Sequence, residues 1–194
     1  MIRIASIVEG DGEVAALPIL LRRICAWKTP QHATTVIPPV RVRRDRFLNK
    51  DEEFGRQLRL CAAKCGDGGW ILILLDADDD CPARLGAQIL ERACRIVPHR
   101  KISVVLANRE FEAWFIAAAH SLNGLRGFSI KPDEPIEPEN HRNAKGWMDR
   151  RMQGAYKEIL DQPAFAATFD LEAAFSNSRS FRKLCKELET RLSS

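Results

Sequence analysis

Trp70-Ile71-Leu72-Ile73-Leu74-Leu75 runs without a polar residue straight into Asp76-Ala77-Asp78-Asp79-Asp80. So short an apolar run, rich in Ile and Leu, reads as a strand rather than a helix. A strand that is apolar on both faces must be covered on both faces. Parallel sheets lying between helix layers meet that condition. The acidic run then stands at the strand's carboxyl end, where an open α/β sheet forms its crevice.

Working outward, Ile2–Val8 is a second apolar, β-branched run, and it too ends in acid: Glu9-Gly10-Asp11-Gly12-Glu13. Gly10-Asp11-Gly12 reads as a turn. A helix is predicted from Glu13 to about Trp27, with Leu17, Leu20, Leu21 and Ile24 on one face and Pro18 in the first turn or so. Ala33–Val42 reads as a strand, and Pro38-Pro39 confines it to an edge or a bulge. Asp51–Lys64 is an amphipathic helix that Gly66-Asp67-Gly68-Gly69 ends. Beyond the acidic run a helix is predicted from Pro82 to about Val97, then a fourth strand at Lys101–Ala107. Arg109–Ala119 follows as a helix with Phe111, Trp114, Phe115 and Ala118 on one stripe. This alternation predicts an α/β fold over residues 1–122: a mainly parallel sheet of about four strands flanked by helices. Pro132, Pro135 and Pro138 mark an acidic loop. Short helices are then predicted at Ala144–Gln153, Ala155–Leu160 and Ser180–Leu192. Residues 123–194 are therefore expected to form a C-terminal loop and helical extension packed on the same core.

The 194 residues suffice for one sizeable core, and a hydrophobic content of 45% excludes a disordered chain. A net charge of +4 permits a nucleic-acid partner without requiring one. The six cysteines form no Cys-x-x-Cys pair and have no zinc-ligand spacing, so buried, reduced thiols are expected. Glu9, Asp11 and Glu13 break the N-terminal apolar run, and nothing approaches the roughly 20 apolar residues of a membrane span. The expected location is the cytoplasm, away from membranes. No P-loop and no Gly-x-Ser-x-Gly elbow occurs, and His32, His99, His120 and His141 have no partners at useful spacing.

Carboxylates crowded at neighbouring strand ends repel one another unless a cation sits among them. Alternate residues of an extended chain point the same way, roughly 6–7 Å apart, so Asp76 and Asp78 can face one crevice. If the first and third predicted strands are neighbours, Glu9 joins them. Such oxygen donors suit Mg²⁺ or Mn²⁺, the ions of phosphate chemistry. Glu9, Asp76 and Asp78 are thus the candidate catalytic residues, with Glu13 able to complete a two-metal site. Glu9 is alternatively a general acid or base, because neighbouring carboxylates should raise its pKa. Asp79 or Asp80 is read as the cap of the helix beginning at Pro82. Arg41, Arg43, Arg44 and Arg46 end the second strand on the same edge and can fork onto phosphate oxygens. Lys145, Arg150, Arg151, Arg179, Arg182, Lys183 and Lys186 form a second basic set that could track a nucleic-acid backbone.

Glu9-Gly10-x-x-Glu13 after the first strand and Asp76-x-Asp78 after the third resemble a Toprim domain, the fold shared by topoisomerases, bacterial primases and OLD-type nucleases. A closer likeness is to a bacterial family of Toprim-like domains of unknown function. Asn108-Arg109-Glu110-Phe111-Glu112-Ala113-Trp114-Phe115 resembles a second signature of that family, and Ser180-Phe181-Arg182-Lys183 is a weaker echo. The resemblance implies metal roles for Glu9, Glu13, Asp76 and Asp78, and one for Glu112 ahead of Glu110. It implies Mg²⁺-dependent cleavage of nucleic acid in a defence or repair system, with a separate ATPase as partner. The alternatives are a non-catalytic module that docks on an ATPase or nucleic acid, and a phosphoacceptor domain.

Overall fold

Strand β1 (Ile2–Val8) lies beside β4 (Trp70–Asp76), and β4 beside β5 (Lys101–Ala107), all parallel. The computed structural model describes residues 1–193; Ser194, the last residue of the predicted extension, lies outside the described residues. Two short strands, β2 (Thr34–Val36) and β3 (Val40–Arg41), pair in succession with the other side of β1, against Ile2–Ile4 and then Ile7–Val8. The sheet order is β2-β1-β4-β5. Pro38-Pro39 falls between β2 and β3. The expected single strand is therefore two, because neither proline can donate to a ladder.

The period of two along each strand builds two cores. Ile4, Val8, Trp70, Leu72, Leu74 and Val105 face one layer; Ala5, Ile7, Ile71, Ile73, Leu75, Val104 and Leu106 face the other. Every residue of β4 is buried, as its unbroken apolar run requires. Helices α2 (Arg44–Asn49), α3 (Asp51–Cys65) and α4 (Pro82–Ile96) supply the second layer through Phe47, Phe54, Leu58, Ile89 and Ala93. The first layer is α1 (Asp11–Lys28) together with α5 (Ala113–Ala117), α6 (Ala144–Asp149), α7 (Glu158–Ala166), α8 (Leu171–Asn177) and α9 (Arg179–Ser193). Its aromatic rings meet edge to face: Phe115 against Phe165 and Phe169, and Phe181 against Trp114 and Phe169. Each such pair adds about 0.5–1.5 kcal/mol beyond the area it buries. Arg23 of α1 donates to the carbonyls of Ala166 and Phe169, both at 2.8 Å, where α7 ends. That contact places α7 on α1, and with it several residues of the site described below.

Local chemistry moves several boundaries. α1 begins at Asp11, not Glu13, because extended Gly10 caps it and the Glu13 carboxylate folds back to the chain. Pro18 consequently lies inside α1, more than a turn from its start. The predicted helix over Arg109–Ala119 shrinks to α5, followed by a 3₁₀ turn at Ala119–Leu122. Arg109 is left-handed (φ 69°), and the Phe111 N–H donates to the Asp76 carboxylate at 2.8 Å instead of opening a helix. α2 and α8 were not expected. Cys25, Cys61, Cys65 and Cys185 are buried as expected, whereas Cys81 and Cys94 are exposed; all six are free. Among the described residues, no helix is long and apolar enough to cross a membrane.

Candidate active site

The parallel ladders bring the carboxyl ends of β1, β4 and β5 to one edge, with Ile7 opposite Ile73 and Asp76 opposite Ala107. Four acidic side chains gather there. Glu13, in the first turn of α1, accepts the N–H groups of Glu9 (3.1 Å) and Gly10 (3.3 Å). Asp76, the last residue of β4, accepts from Phe111. Glu112 is fully buried. Its Oε1 accepts from Tyr156 Oη at 3.0 Å and Gln162 Nε2 at 2.7 Å. Glu9 follows β1 and is half-buried.

Burial raises all four, and repulsion within the group adds to it for Asp76 and Glu13. Burial, then Glu13 and Glu112, raise Asp76 well above the carboxylate range. Burial pushes Glu13 up to about 7 against the two backbone N–H bonds that lower it. Burial also raises Glu112, opposed by Lys145 and Gln162. For Glu9, burial is the larger cause, and repulsion from the neighbouring carboxylate of Asp78 raises the pKa further, as expected. Lys145, on α6, is the counter-charge. Burial works against its proton, yet Glu112, Asp76 and Glu158 hold it and raise its pKa; its Nζ lies 3.3 Å from Glu158.

Gly12 explains how α7 comes close enough to contribute. A Cβ there would lie 2.3 Å from Gln162 Oε1 and 2.8 Å from the Glu158 carbonyl, so only glycine admits α7 against the first turn of α1.

Beside the carboxylates, Glu9, Arg41, Arg43, Arg44 and Asp78 line a cavity of about 350 Å³. Arg44 approaches Asp78 at 3.5 Å and Asp80 at 2.6 Å, while its buried Nε has no partner. Arg41 Nε donates to the Glu9 carbonyl at 3.2 Å and pairs with Asp11 at 3.0 Å. Asp78 is left-handed (φ 48°) and exposed. Its N–H donates to the Arg109 carbonyl, and Arg109 returns a bond to the Asp78 carbonyl at 3.1 Å.

Residues 8–189 match the model of a family described as a domain of unknown function, DUF4276. The chain belongs to the DUF4276 family. No curated protein and no solved structure matches it.

In this DUF4276 chain, Glu9, Glu13, Asp76 and Glu112 face one another, while Asp78 borders Glu9 from the arginine side of the cavity. Asp79 and Asp80 are held by Arg109 and Arg44, and Cys81 occupies the cap position of α4. Glu110 accepts the Lys145 N–H at 2.8 Å, which fixes the start of α6 and leaves the site to Glu112. Arg179, Arg182 and Lys183 lie on α9 and line hollows other than the cavity of Glu9 and Arg44. Lys145 was expected in a basic surface set and instead enters the acidic cluster; Tyr156, Glu158 and Gln162 were not expected at all. Three oxygens of the site, Glu9 Oε2, Glu112 Oε2 and Gln162 Oε1, are buried without a partner. Among the described residues, no three His, Cys, Asp or Glu side chains are arranged to hold a metal ion as they stand. The hydrogen bonds give the reason: Glu13 is turned to backbone N–H groups, Glu112 to Tyr156 and Gln162, and Lys145 supplies positive charge.

Proposed function

We propose that this protein is a Mg²⁺- or Mn²⁺-dependent phosphodiesterase acting on nucleic acid, in line with its Toprim-like strand-end motifs. One observation carries the reading. Four perturbed carboxylates share an edge with three buried acceptor oxygens that lack donors, beside a cavity whose buried Arg44 Nε lacks an acceptor. Unpaired buried acceptors are costly unless a cation meets them, and an unpaired buried guanidinium donor fits an anion.

Glu9, Asp76 and Glu112 are the residues that would hold the ion, with Glu13 and Asp78 in reach of a second. The ion would supply Lewis-acid polarisation of a phosphate oxygen. The chain's own residues do the rest. Arg41, Arg43 and Arg44 bind and orient the phosphodiester. Glu9, half-buried with a raised pKa, either holds the ion through Oε2 or, in place of that role, accepts a proton from the attacking water. Lys145 stays protonated and offsets the negative charge of Asp76 and Glu112. Tyr156 and Gln162 hold Glu112 in one rotamer. A separate ATPase subunit remains the partner implied by the Toprim resemblance.

A second reading, a non-catalytic module, is favoured by Lys145 alone, since it neutralises part of the cluster with no metal. Calorimetry with Mn²⁺ and cleavage of single- and double-stranded oligonucleotides separate the two. We expect Mn²⁺ binding and metal-stimulated cleavage, with both lost in Asp76→Asn while the circular dichroism spectrum is kept. Absence of Mn²⁺ heat in the wild-type chain would leave the module reading standing and remove the nuclease.

A further inference from the structure

Three carboxylates of the acidic edge divide their two oxygens in the same way. Glu13 receives the Glu9 and Gly10 N–H groups on Oε2, at 3.1 and 3.3 Å. Asp76 receives the Phe111 N–H on Oδ1 at 2.8 Å. Glu112 receives Tyr156 Oη at 3.0 Å and Gln162 Nε2 at 2.7 Å, both on Oε1. Glu112 is fully buried, and its other oxygen, Oε2, has no partner. Glu9 Oε2 is buried and orphaned in the same way. One oxygen of each of the three is committed to the protein, and one is left for an ion.

The two donors to Glu112 are held by the fold and cannot follow it. Gln162 is 1% exposed and lies against Gly12, where a Cβ would come within 2.3 Å of its Oε1. The Tyr156 ring stacks on Phe165, with centroids 6.3 Å apart and planes at 5°, and the Tyr156 N–H donates to the Asp149 carboxylate at 2.7 Å. Turning Glu112 to present both oxygens to one ion would strip both donors of their acceptor. That cost selects among cations. Ca²⁺ gathers about six to eight oxygens and readily takes both from one carboxylate, whereas Mg²⁺ builds an octahedron from few carboxylate oxygens and several waters. Mn²⁺ shares the octahedral preference.

We propose that Tyr156 and Gln162 are positioning residues that set the ion preference of the site: by holding Glu112 to one coordinating oxygen, they favour Mg²⁺ or Mn²⁺ over Ca²⁺. The inference rests on the metal reading above and adds what decides between ions. Glu112 is the carboxylate through which the choice acts, because its bonds come from side chains. Those to Glu13 and Asp76 come from the backbone and are the same for any ion. Lys145 does not supply the preference. Its ammonium, 3.3 Å from Glu158, opposes every divalent ion alike.

The test titrates Mn²⁺ and Ca²⁺ into the full chain by calorimetry, in the wild type, Tyr156→Phe and Gln162→Met. Phenylalanine keeps the ring on Phe165, and methionine keeps the length of the side chain; each removes only the donor, and circular dichroism reports the fold. The wild type should bind Mn²⁺ more tightly than Ca²⁺. Each variant should lose about tenfold or more of that preference, the scale expected when a partner of a metal ligand is removed. Tyr156 is the chain's only tyrosine, so its ultraviolet resonance Raman bands report the bond to Glu112, which should persist when Mn²⁺ binds. Should Gln162→Met unfold, Tyr156→Phe and the Raman bands decide the matter. Absence of Mn²⁺ heat in the wild type removes the metal reading and this inference with it. Mn²⁺ binding whose preference a folded variant retains, or equal losses for both ions, overturns the inference alone and leaves the nuclease reading in place. So does a wild type that binds Ca²⁺ as tightly as Mn²⁺, or a tyrosine hydrogen bond lost on Mn²⁺ binding.

Discussion

The buried carboxylates make the metal-free protein less stable as pH rises, and Glu13→Gln isolates the effect. Burial raises Glu13 from 4.5 to about 7 in the folded chain. Below about 4.5 the residue is protonated whether the chain is folded or not, and its contribution to stability is fully present. As pH climbs through that range the unfolded chain releases a proton that the folded chain keeps, so stability falls until about pH 7 and then levels off. Each pKa step is worth about 1.4 kcal/mol, so the loss is about 3 kcal/mol. Burial raises Asp76 and Glu112 as well, which adds to the fall. Lys145 is charged throughout this window and contributes no slope. Glutamine keeps an acceptor for the Glu9 and Gly10 N–H groups but cannot ionise. In EDTA at about pH 8 we therefore expect Glu13→Gln to exceed the wild type by about 3 kcal/mol, or about 6–12 °C in Tm for a chain of this size. At about pH 4.5 the two should coincide. Urea unfolding across the range, followed by circular dichroism, measures both. A wild-type stability that rises from about pH 5 to about pH 7.5, or a variant with an unchanged slope, would refute the account of Glu13 as a proton-holding buried acid.

Other changes probe the parts around it. Lys145→Met should destabilise the metal-free protein at about pH 8 by roughly 2 kcal/mol, below the 3–5 of a fully buried pair because Lys145 is partly exposed; urea midpoints at two pH values check it. Gly12→Ala should cost about 1–3 kcal/mol despite alanine's better helix propensity, because the new Cβ meets backbone at 2.8 Å; the same unfolding curve reads it. Arg44→Ala should weaken oligonucleotide binding and reduce its log–log salt slope by about one, read by anisotropy at several salt concentrations.

The sheet was legible because its strands answer to strong local rules. β1 and β5 appear at the predicted residues, and β4 extends one residue further to include Asp76. An apolar run with no polar interruption has few alternatives to a doubly covered strand. Helix starts were less legible, because they depend on where a carboxylate turns. Glu13 binds backwards to Glu9 and Gly10 and draws two more residues into α1; Asp76 binds Phe111 and removes four from the predicted helix after β5. Both errors share a cause. The same acids that make the site also act as hydrogen-bond acceptors for the backbone around it.

The strand-end half of the site could be read from the sequence; the half from residues 144–162 could not. Glu9, Glu13 and Asp76 sit next to strand ends, so topology alone brings them together. Lys145 arrives from α6, Tyr156 from the loop before α7 and Gln162 from α7 itself, whose position rests on Arg23 reaching the carbonyls of Ala166 and Phe169, and on Gly12 having no side chain. Neither contact has a periodic signature. One signal was nevertheless present: a helix-opening glycine between two acids, Asp11-Gly12-Glu13, forgoes helix propensity in the first turn, and close approach by another segment is the usual reason. Glu112 shows what that approach accomplishes. Fully buried, its carboxylate depends on Tyr156 and Gln162 for its hydrogen bonds and on Lys145 for a nearby charge. Removing α7 from α1 would leave that carboxylate without donors, so the C-terminal helices and the acidic edge stand or fall as one cooperative unit.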